Sequence, residues 1–448
     1  MSKTMVKDLT KGNVAKLLLK FAFPLFLSNA LQAIYNIVDM IVVGQYIGSA
    51  GMSAVSIGGD ILHLITFVAM GFSSAGQVLI AKDVGAGDKE RVRHTIGTMF
   101  TFLLIASVVI SVACYVIRDS ILGWLNTPVE SYKYTMDYTV TCIIGLVFIY
   151  GYNIVSAILR GMGDSKRPFV FIAIAAVLNI VLDIIFVAYM DMEVFGAALA
   201  TVIGQGVSFI ASLIYLYYHR EAFGFDFKIK SFAIENKALS RIVALGVPMA
   251  IQAAAISLSK IILMAWINMF GVVFSALAGV YNKINTMSAI VSNSFTTAGS
   301  AMVGQNLGAK KDKRIPSILL TVTYCGAVVA ILCTIVMIVF PSQVFSAFTN
   351  DTEVLATASI LISPIILNLF GAGTRSISFS IINGSGNTRL NLAVAIIDGV
   401  ISRIGIAALL GFGFSMNCLG FWYGDAIAGF VPIIIGICFY ASGKWRTK

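Results

Sequence analysis

Charge is scarce in this chain: Asp, Glu, Lys and Arg supply 12% of its 448 residues, about half the share typical of a soluble domain. Histidine is scarcer still, and the three present, His63, His94 and His219, show no metal-ligand spacing. The six cysteines, Cys114, Cys142, Cys325, Cys333, Cys418 and Cys438, lie in or at the edges of apolar runs without a CxxC pair. They read as small core residues, which excludes a disulfide framework or a zinc site. No GxxxxGK(S/T) phosphate loop occurs, and ATP hydrolysis by this polypeptide is thereby disfavoured. No HExxH lies inside an apolar run, so nothing indicates an enzyme or a cofactor.

What is abundant is apolar. Hydrophobic residues make up 58% of the chain and the mean hydropathy is +0.91, values of an integral membrane protein rather than a soluble one. Runs of about 20 residues or more, each long enough to cross roughly 30 Å of hydrocarbon as a helix, recur along the whole length. Twelve are visible, near 15–43, 52–80, 94–117, 132–160, 167–190, 194–218, 241–267, 275–303, 315–340, 354–382, 389–412 and 418–441. The basic start, MSKTMVKDLTKGNVAKLLLK, leads into a run too long for a signal-peptide core and without a cleavage pattern. It is expected to be retained as the first span.

The net charge of +10 would suit a nucleic-acid partner, but its placement does not. Lys and Arg gather in alternate connections, among them Lys3, Lys7 and Lys11, Lys89 to Arg93, Arg160 to Arg167, Lys228 to Arg241, Lys310 to Arg314 and Lys444 to Lys448. The intervening loops hold few beyond Arg118 and Lys133. That alternation marks the cytoplasmic face, with both termini on it, which requires an even number of spans and excludes nucleic acid as partner. The surroundings are a plasma-membrane bilayer, and the chain is expected to act as a monomer.

Shifting the sequence by about 223 residues aligns AKDVGAGDKER at 81–91 with GQNLGAKKDKR at 304–314, and LRGMGDSKR at 159–167 with INGSGNTRL at 382–390. Pro24 and Pro248 pair one residue off that shift. The pattern predicts a tandem duplication of a six-helix unit: a lobe at 1–218, a cytoplasmic linker at 219–240 and a second lobe at 241–448. With an even number of spans per copy, the lobes should be related by a pseudo-two-fold along the membrane normal, as in many secondary transporters. The glycine-rich loops are expected to be tight helix turns rather than phosphate cradles.

An ionisable residue inside a span costs upward of about 2.5 kcal/mol and is a functional hypothesis by default. Asp39 lies in PLFLSNALQAIYNIVDMIVVG, residues 24–44. Helical spacing places Asn36, Tyr35, Gln32 and Ser28 on its face, while Leu27, Ile34, Ile37 and Ile41 cover the rest. On the fifth run Asn179 and Asp183 are four residues apart, and on the sixth Thr201 and Gln205 repeat the spacing. Two carboxyls, an amide and a hydroxyl offer hard ligands for a small cation such as Na⁺, or a hydrogen-bonded cage in which one carboxyl keeps a proton. Interior proline Pro24 permits a kink. The alternative for Asp39, Asn179 and Asp183 is a polar network that only holds helices together, and for Gln32, Tyr35, Asn36 and Gln205 it is interhelical hydrogen bonding.

These residues, Pro24, Gln32, Tyr35, Asp39, Asn179, Asp183 and Thr201, resemble the N-lobe cation site of the multidrug and toxic compound extrusion (MATE) family, especially its DinF-like prokaryotic branch. The resemblance extends over the whole chain through the twelve runs, the two halves and the glycine-rich loops. It implies antiport: H⁺ or Na⁺ enters while a drug-like organic compound, cationic or amphipathic, leaves. The coupling site would be Asp39, Asn179, Asp183 and Thr201, with Pro24, Gln32, Tyr35, Asn36 and Gln205 lining or gating the substrate path.

One departure is informative. The NorM-like branch has an acid in the seventh span, where this chain has none and carries Lys260. The second half holds mostly basic residues in its runs, Lys260, Lys283, Arg375 and Arg403, against Asp398. Lys260 and Arg375 are therefore expected to face the cavity and accept an anionic or zwitterionic group, the alternative for Arg375, Asp398 and Arg403 being an intra-lobe salt bridge. The basic second half also leaves open a flippase of lipid-linked precursors.

Overall fold

The computed structural model describes residues 7–446, so that Lys3 and Lys448 lie outside the described residues. Every apolar run forms a helix. We number the spans in chain order: 1, Val14–Ile47; 2, Ser49–Ala86; 3, Lys89–Val116; 4, the pair Val129–Ile144 and Leu146–Gly161; 5, Lys166–Tyr189; 6, Glu193–Tyr218. In the second half they are 7, Asn236–Asn268; 8, Val272–Gly308; 9, Asp312–Val339; 10, Thr352–Ser385; 11, Thr388–Gly413; and 12, Asn417–Ala441. Among the described residues ten helices are long and apolar enough to cross a membrane, or eleven with the two halves of span 4, which meet at 48°, taken as one. Span 8 completes the twelve as a 37-residue helix. Its stretch SNSFTTAGSAMVGQN is rich in hydroxyls and amides, which lowers its hydropathy without shortening it.

The residues expected to meet lipid are those the fold leaves uncovered. Val108, Val109 and Val112 on span 3 and Ile331, Leu332 and Ile335 on span 9 are exposed, as are Ile34, Ile37 and Ile41 on span 1. Hydrocarbon takes the place of water against such faces, while every backbone group stays paired within its own helix.

The chain divides into two compact units. The first joins the residues up to Asp8 with Phe23–Val247. Its apolar core is built by Val42, Val43, Ala54, Val55, Tyr138, Cys142, Val187, Val194, Ala197 and Ala198, from spans 1, 2, 4, 5 and 6. The stretch after span 6 is packed rather than loose: Phe225 and Phe232 set their rings against Phe100 of span 3. Thr101 Oγ1 donates to the Phe232 carbonyl at 2.5 Å, and the Glu235 N–H donates to Thr98 Oγ1 at 3.1 Å. Arg241 grips both carboxyl oxygens of Asp83 at 2.9 Å. Asp164, in the turn between spans 4 and 5, receives Lys7 at 3.0 Å and Arg167 at 2.6 Å.

The second unit joins Leu9–Ala22 with Pro248–Lys448. Leu9 donates its N–H to Gln305 Oε1 at 3.0 Å and accepts from Asn306 Nδ2 at 3.2 Å. Lys311 Nζ binds Thr10 Oγ1 at 2.8 Å. Its core gathers Leu263, Ile267, Leu277, Leu361, Ile365, Phe421 and Trp422 among others. Spans 1 and 7 thus both run unbroken past an internal proline, Pro24 and Pro248, and in both the change of unit falls at that proline or the residue before it.

The glycine-rich loops are helix ends. Gly87 after span 2 and Gly386 after span 10 adopt left-handed φ of 72° and 71°, which a residue with a Cβ takes up only at a cost. The next residues cap the following spans: Asp88 accepts from the Arg91 N–H at 3.0 Å and Asn387 from the Leu390 N–H at 3.2 Å.

Candidate functional site

In the first unit, spans 1, 5 and 6 bring four of the predicted residues together. Thr201 Oγ1 donates to Asp39 Oδ2 at 3.3 Å and accepts from Asn179 Nδ2 at 3.3 Å. The Asp183 carboxyl is a near neighbour of the Asp39 carboxyl. One turn away, Gln205 Nε2 donates to the Tyr35 hydroxyl at 3.4 Å. Asp39, Asn179, Asp183, Thr201, Gln205 and Tyr35 are all buried. Tyr35, Asn179, Thr201 and Gln205 line a narrow gap with Ala175 and Gly204, too tight for a water-sized group.

Small residues make this meeting possible. A Cβ built on Gly204 would lie 3.0 Å from the Ala175 carbonyl oxygen and 3.5 Å from the Asn179 Cβ. Spans 5 and 6 therefore touch at backbone distance, and it is this approach that carries Thr201 to Asn179. Span 5 then leaves regular α-geometry directly after Asp183, as Ile184–Tyr189 is a π segment, a feature frequent at functional sites.

The donor and acceptor count is lopsided. Asp39 Oδ1, Asn179 Oδ1 and both Asp183 oxygens are buried without a donor. The unit's inward cations are engaged elsewhere: Arg160 with Gln77 at 2.8 Å and Ser156 at 2.6 Å, Arg241 with Asp83 and Arg167 with Asp164. What remains is an acceptor cage without a basic partner, and buried polar groups left so are costly. Acceptors of this kind can take a proton shared between the carboxyls, a water or a small cation. Among the described residues no group of three or more His, Cys, Asp or Glu side chains is poised for a metal. A cation at the cage would draw on the amide and hydroxyl as well as the two acids.

Not all of the expected polar face of span 1 joins the cage. Asn36 is exposed and Gln32 half-buried, and neither hydrogen-bonds into it. At 100° per residue Tyr35 and Asn36 lie on opposite sides of Asp39, and spans 5 and 6 cover the Tyr35 side. Ser28 turns its hydroxyl onto its own helix, donating to the Pro24 carbonyl at 2.8 Å. Asp60 and Lys283, one in each half, are exposed.

The second unit holds a different arrangement. Arg375 pairs with Asp398 at 3.0 Å, Arg403 reaches the same Oδ1 at 3.5 Å, and Arg403 also binds Asp425 Oδ1. The Asp425 Oδ2 atom accepts from the Tyr281 hydroxyl at 3.1 Å and from Asn368 Nδ2 at 3.3 Å. Lys260 lines a cavity of about 280 Å³, counting its open mouth, with Leu263, Met264, Tyr281, Phe421, Trp422 and Asp425 among the walls. Arg375 is not among them. Its guanidinium is committed to Asp398, as buried charges tend to be. Asp425, Tyr281 and Asn368 are absent from the sequence reading; the available signal was an acid inside the apolar run 418–441.

An all-helical bundle of membrane spans, with an acceptor cage in one unit and a charged cavity in the other, is the build of a membrane transporter. Residues 24–185 and 248–409 each match the MatE family model. The chain belongs to this family, and the two matches begin at Pro24 and Pro248, the prolines that punctuate the repeat. It is 27% identical over 446 residues to the "Probable multidrug resistance protein YoeA" of Bacillus subtilis, covering 98% of this chain and 96% of that protein. It is 24% identical to the "Probable multidrug resistance protein NorM" of Thermotoga maritima, covering 97% and 94%. A MATE crystal structure in complex with MaL6 superposes with a TM-score of 0.91 at 21% identity over the full length of both chains.

Proposed function

We propose that this protein is a secondary antiporter that exports drug-like organic compounds in exchange for H⁺ or Na⁺. It would alternate access between a lobe at 1–218 and a lobe at 241–448, joined by the linker 219–240, with both termini cytoplasmic and the monomer as working unit. The observation that carries this reading is the buried cage of Asp39, Asn179, Asp183 and Thr201, whose unpaired atoms are all acceptors. A proton or a small cation satisfies it and offsets the charge of the two acids, and that cation is the driving solute of this reading. With a proton, one carboxyl becomes a donor to the other. With Na⁺, the carboxyl, amide and hydroxyl oxygens act as hard ligands. Each charge that crosses with the field gains about 2.3 kcal/mol per 100 mV.

The printed names of the relatives, which speak of multidrug resistance, support an organic substrate over a lipid-linked one. Tyr35, Gln205, Gln32 and Asn36 would line or gate the substrate path beside the cage, with Pro24 as the point where span 1 bends. Reconstitution into liposomes with pH and sodium gradients imposed separately tests the proposal. Uptake or release of a cationic dye should follow at least one gradient. Transport indifferent to both would sink the antiport reading.

A further inference from the structure

The cavity in the second unit is short of an anion. Inside the spans of this half the charged side chains within the packed interior are Lys260, Arg375 and Arg403, against Asp398 and Asp425, an excess of one cation. The pairings show which one is in excess. Asp398 holds Arg375 and Arg403. Asp425 has spent one oxygen on Arg403 and the other on the Tyr281 hydroxyl and the Asn368 amide. Lys260 makes no hydrogen bond or ion pair among the described residues, although its side chain lines the cavity together with Asp425.

A second unused donor belongs to the same walls. Trp422 is 1% exposed, lines the cavity, and leaves its indole N–H without a partner. A buried donor without an acceptor is costly, and more so when it is charged. An intramembrane ammonium with an acid nearby but no direct hydrogen bond is a costly arrangement. Both groups are donors, and the carboxylate near Lys260, Asp425, already accepts from Arg403, Tyr281 and Asn368. The remaining lining, Leu263, Met264, Ile267 and Phe421, is apolar. Only about 20 Å³ of this space is open to a water-sized group, room for a small charged head, with the rest of a ligand lying at the open mouth.

We propose that this cavity binds the anionic group of a small amphiphile, a carboxylate, sulfonate or phosphate whose oxygens take the Lys260 ammonium and the Trp422 N–H while its apolar body rests on Leu263, Met264 and Phe421. The proposal rests on the export reading only in treating that amphiphile as a transported solute; binding itself needs no gradient and does not involve Asp39. An acidic head is therefore a permitted feature of the substrate class, and a compound with both an acidic and a basic group would meet donors here and Asp425 beside them.

The test is a binding measurement on the full-length protein in phosphatidylcholine nanodiscs. The probe is dansylglycine, with its uncharged methyl ester and the cationic dansylcadaverine as controls. Wild type should prefer the acid over the ester by about 10-fold or more, the range of a charge-assisted hydrogen bond. Lys260→Gln should erase that preference and leave ester binding unchanged, while Lys260→Arg should retain it. Asp39→Asn should leave the preference intact, which separates failure of this site from failure of the coupling reading. Phosphatidylglycerol added to the discs assigns the source: displacement of the probe identifies a lipid headgroup at Lys260, and its absence a soluble anion. Equal binding of acid and ester by wild type, an undiminished preference in a Lys260→Gln protein that elutes as wild type, or preference for the cationic probe would overturn the proposal.

Discussion

The close approach of spans 5 and 6 at Gly204 can be tested by a single methyl group. In Gly204→Ala the new carbon would stand 3.0 Å from the Ala175 carbonyl oxygen and 3.5 Å from the Asn179 Cβ, so the helices must part by a few tenths of an ångström. The Asn179–Thr201 and Thr201–Asp39 bonds are already 3.3 Å long and near the limit of useful geometry, and they have no slack to absorb that movement. Overpacking of this kind costs about 1–3 kcal/mol, against a gain of about 1 kcal/mol for replacing glycine in a helix. Gly206→Ala, two residues on, is the control. There the added carbon would meet Phe148 at 3.6 Å, ordinary contact distance, and only the helical gain applies. Thermal unfolding of the purified variants should therefore separate them by about 1–3 kcal/mol in favour of Gly206→Ala. Gradient-driven dye export in liposomes should fall about 10-fold or more for Gly204→Ala alone, since cage geometry is set there. Equal stability and equal transport in the two variants would refute the claim that this contact assembles the cage.

Further expectations follow from the second unit and the linker. Arg403→Met leaves Asp398 to Arg375 but takes from the buried Asp425 its guanidinium partner, and removal of one partner of a buried pair should cost about 3–5 kcal/mol. A fall in detergent half-life and in expressed yield is the readout, and a variant as stable as wild type would contradict the pairing. In the linker, the Ser231 hydroxyl binds the Asp226 carboxylate and holds it below the usual carboxylate range. A depressed value means that this contact is fully present above the ordinary carboxylate range and is lost only as pH falls through the lowered one. Protection factors of the amides at 226–232, corrected for the intrinsic pH dependence of exchange, should thus be the same at pH 5 and pH 8 and fall only in stronger acid; a fall already at pH 5 would contradict it.

Much of the candidate site was legible because an ionisable residue in an apolar run stands out. Asp39, Asn179 and Asp183 are conspicuous in VLNIVLDIIF and IYNIVDMIVV, and the i, i+4 spacing already puts Asn179 and Asp183 on one side of their helix. The repeat was legible through punctuation, with Pro24 and Pro248 marking where both family matches begin. Periodicity was less informative about which part of a polar face is covered, since the exposure of Asn36 depends on spans 5 and 6 lying on the Tyr35 side. The three partners of Asp425 come from spans 8, 10 and 11, and no local pattern joins them. The π segment after Asp183 and the grouping of Leu9–Ala22 with the second half are likewise products of tertiary packing. Lys260 and Arg375 look alike as buried cations in sequence; only the position of Asp398 tells the paired one from the free one.

The central claim, that the acids of the first unit carry the coupling cation, is tested most directly by comparing two modes of transport in one reconstituted preparation. Asp39→Asn keeps the size of the side chain and supplies its own donor to Asp183, so the cage no longer calls for a cation. Gradient-driven export should then drop to background while substrate exchange without a gradient persists. Full gradient-driven export by Asp39→Asn would contradict the account.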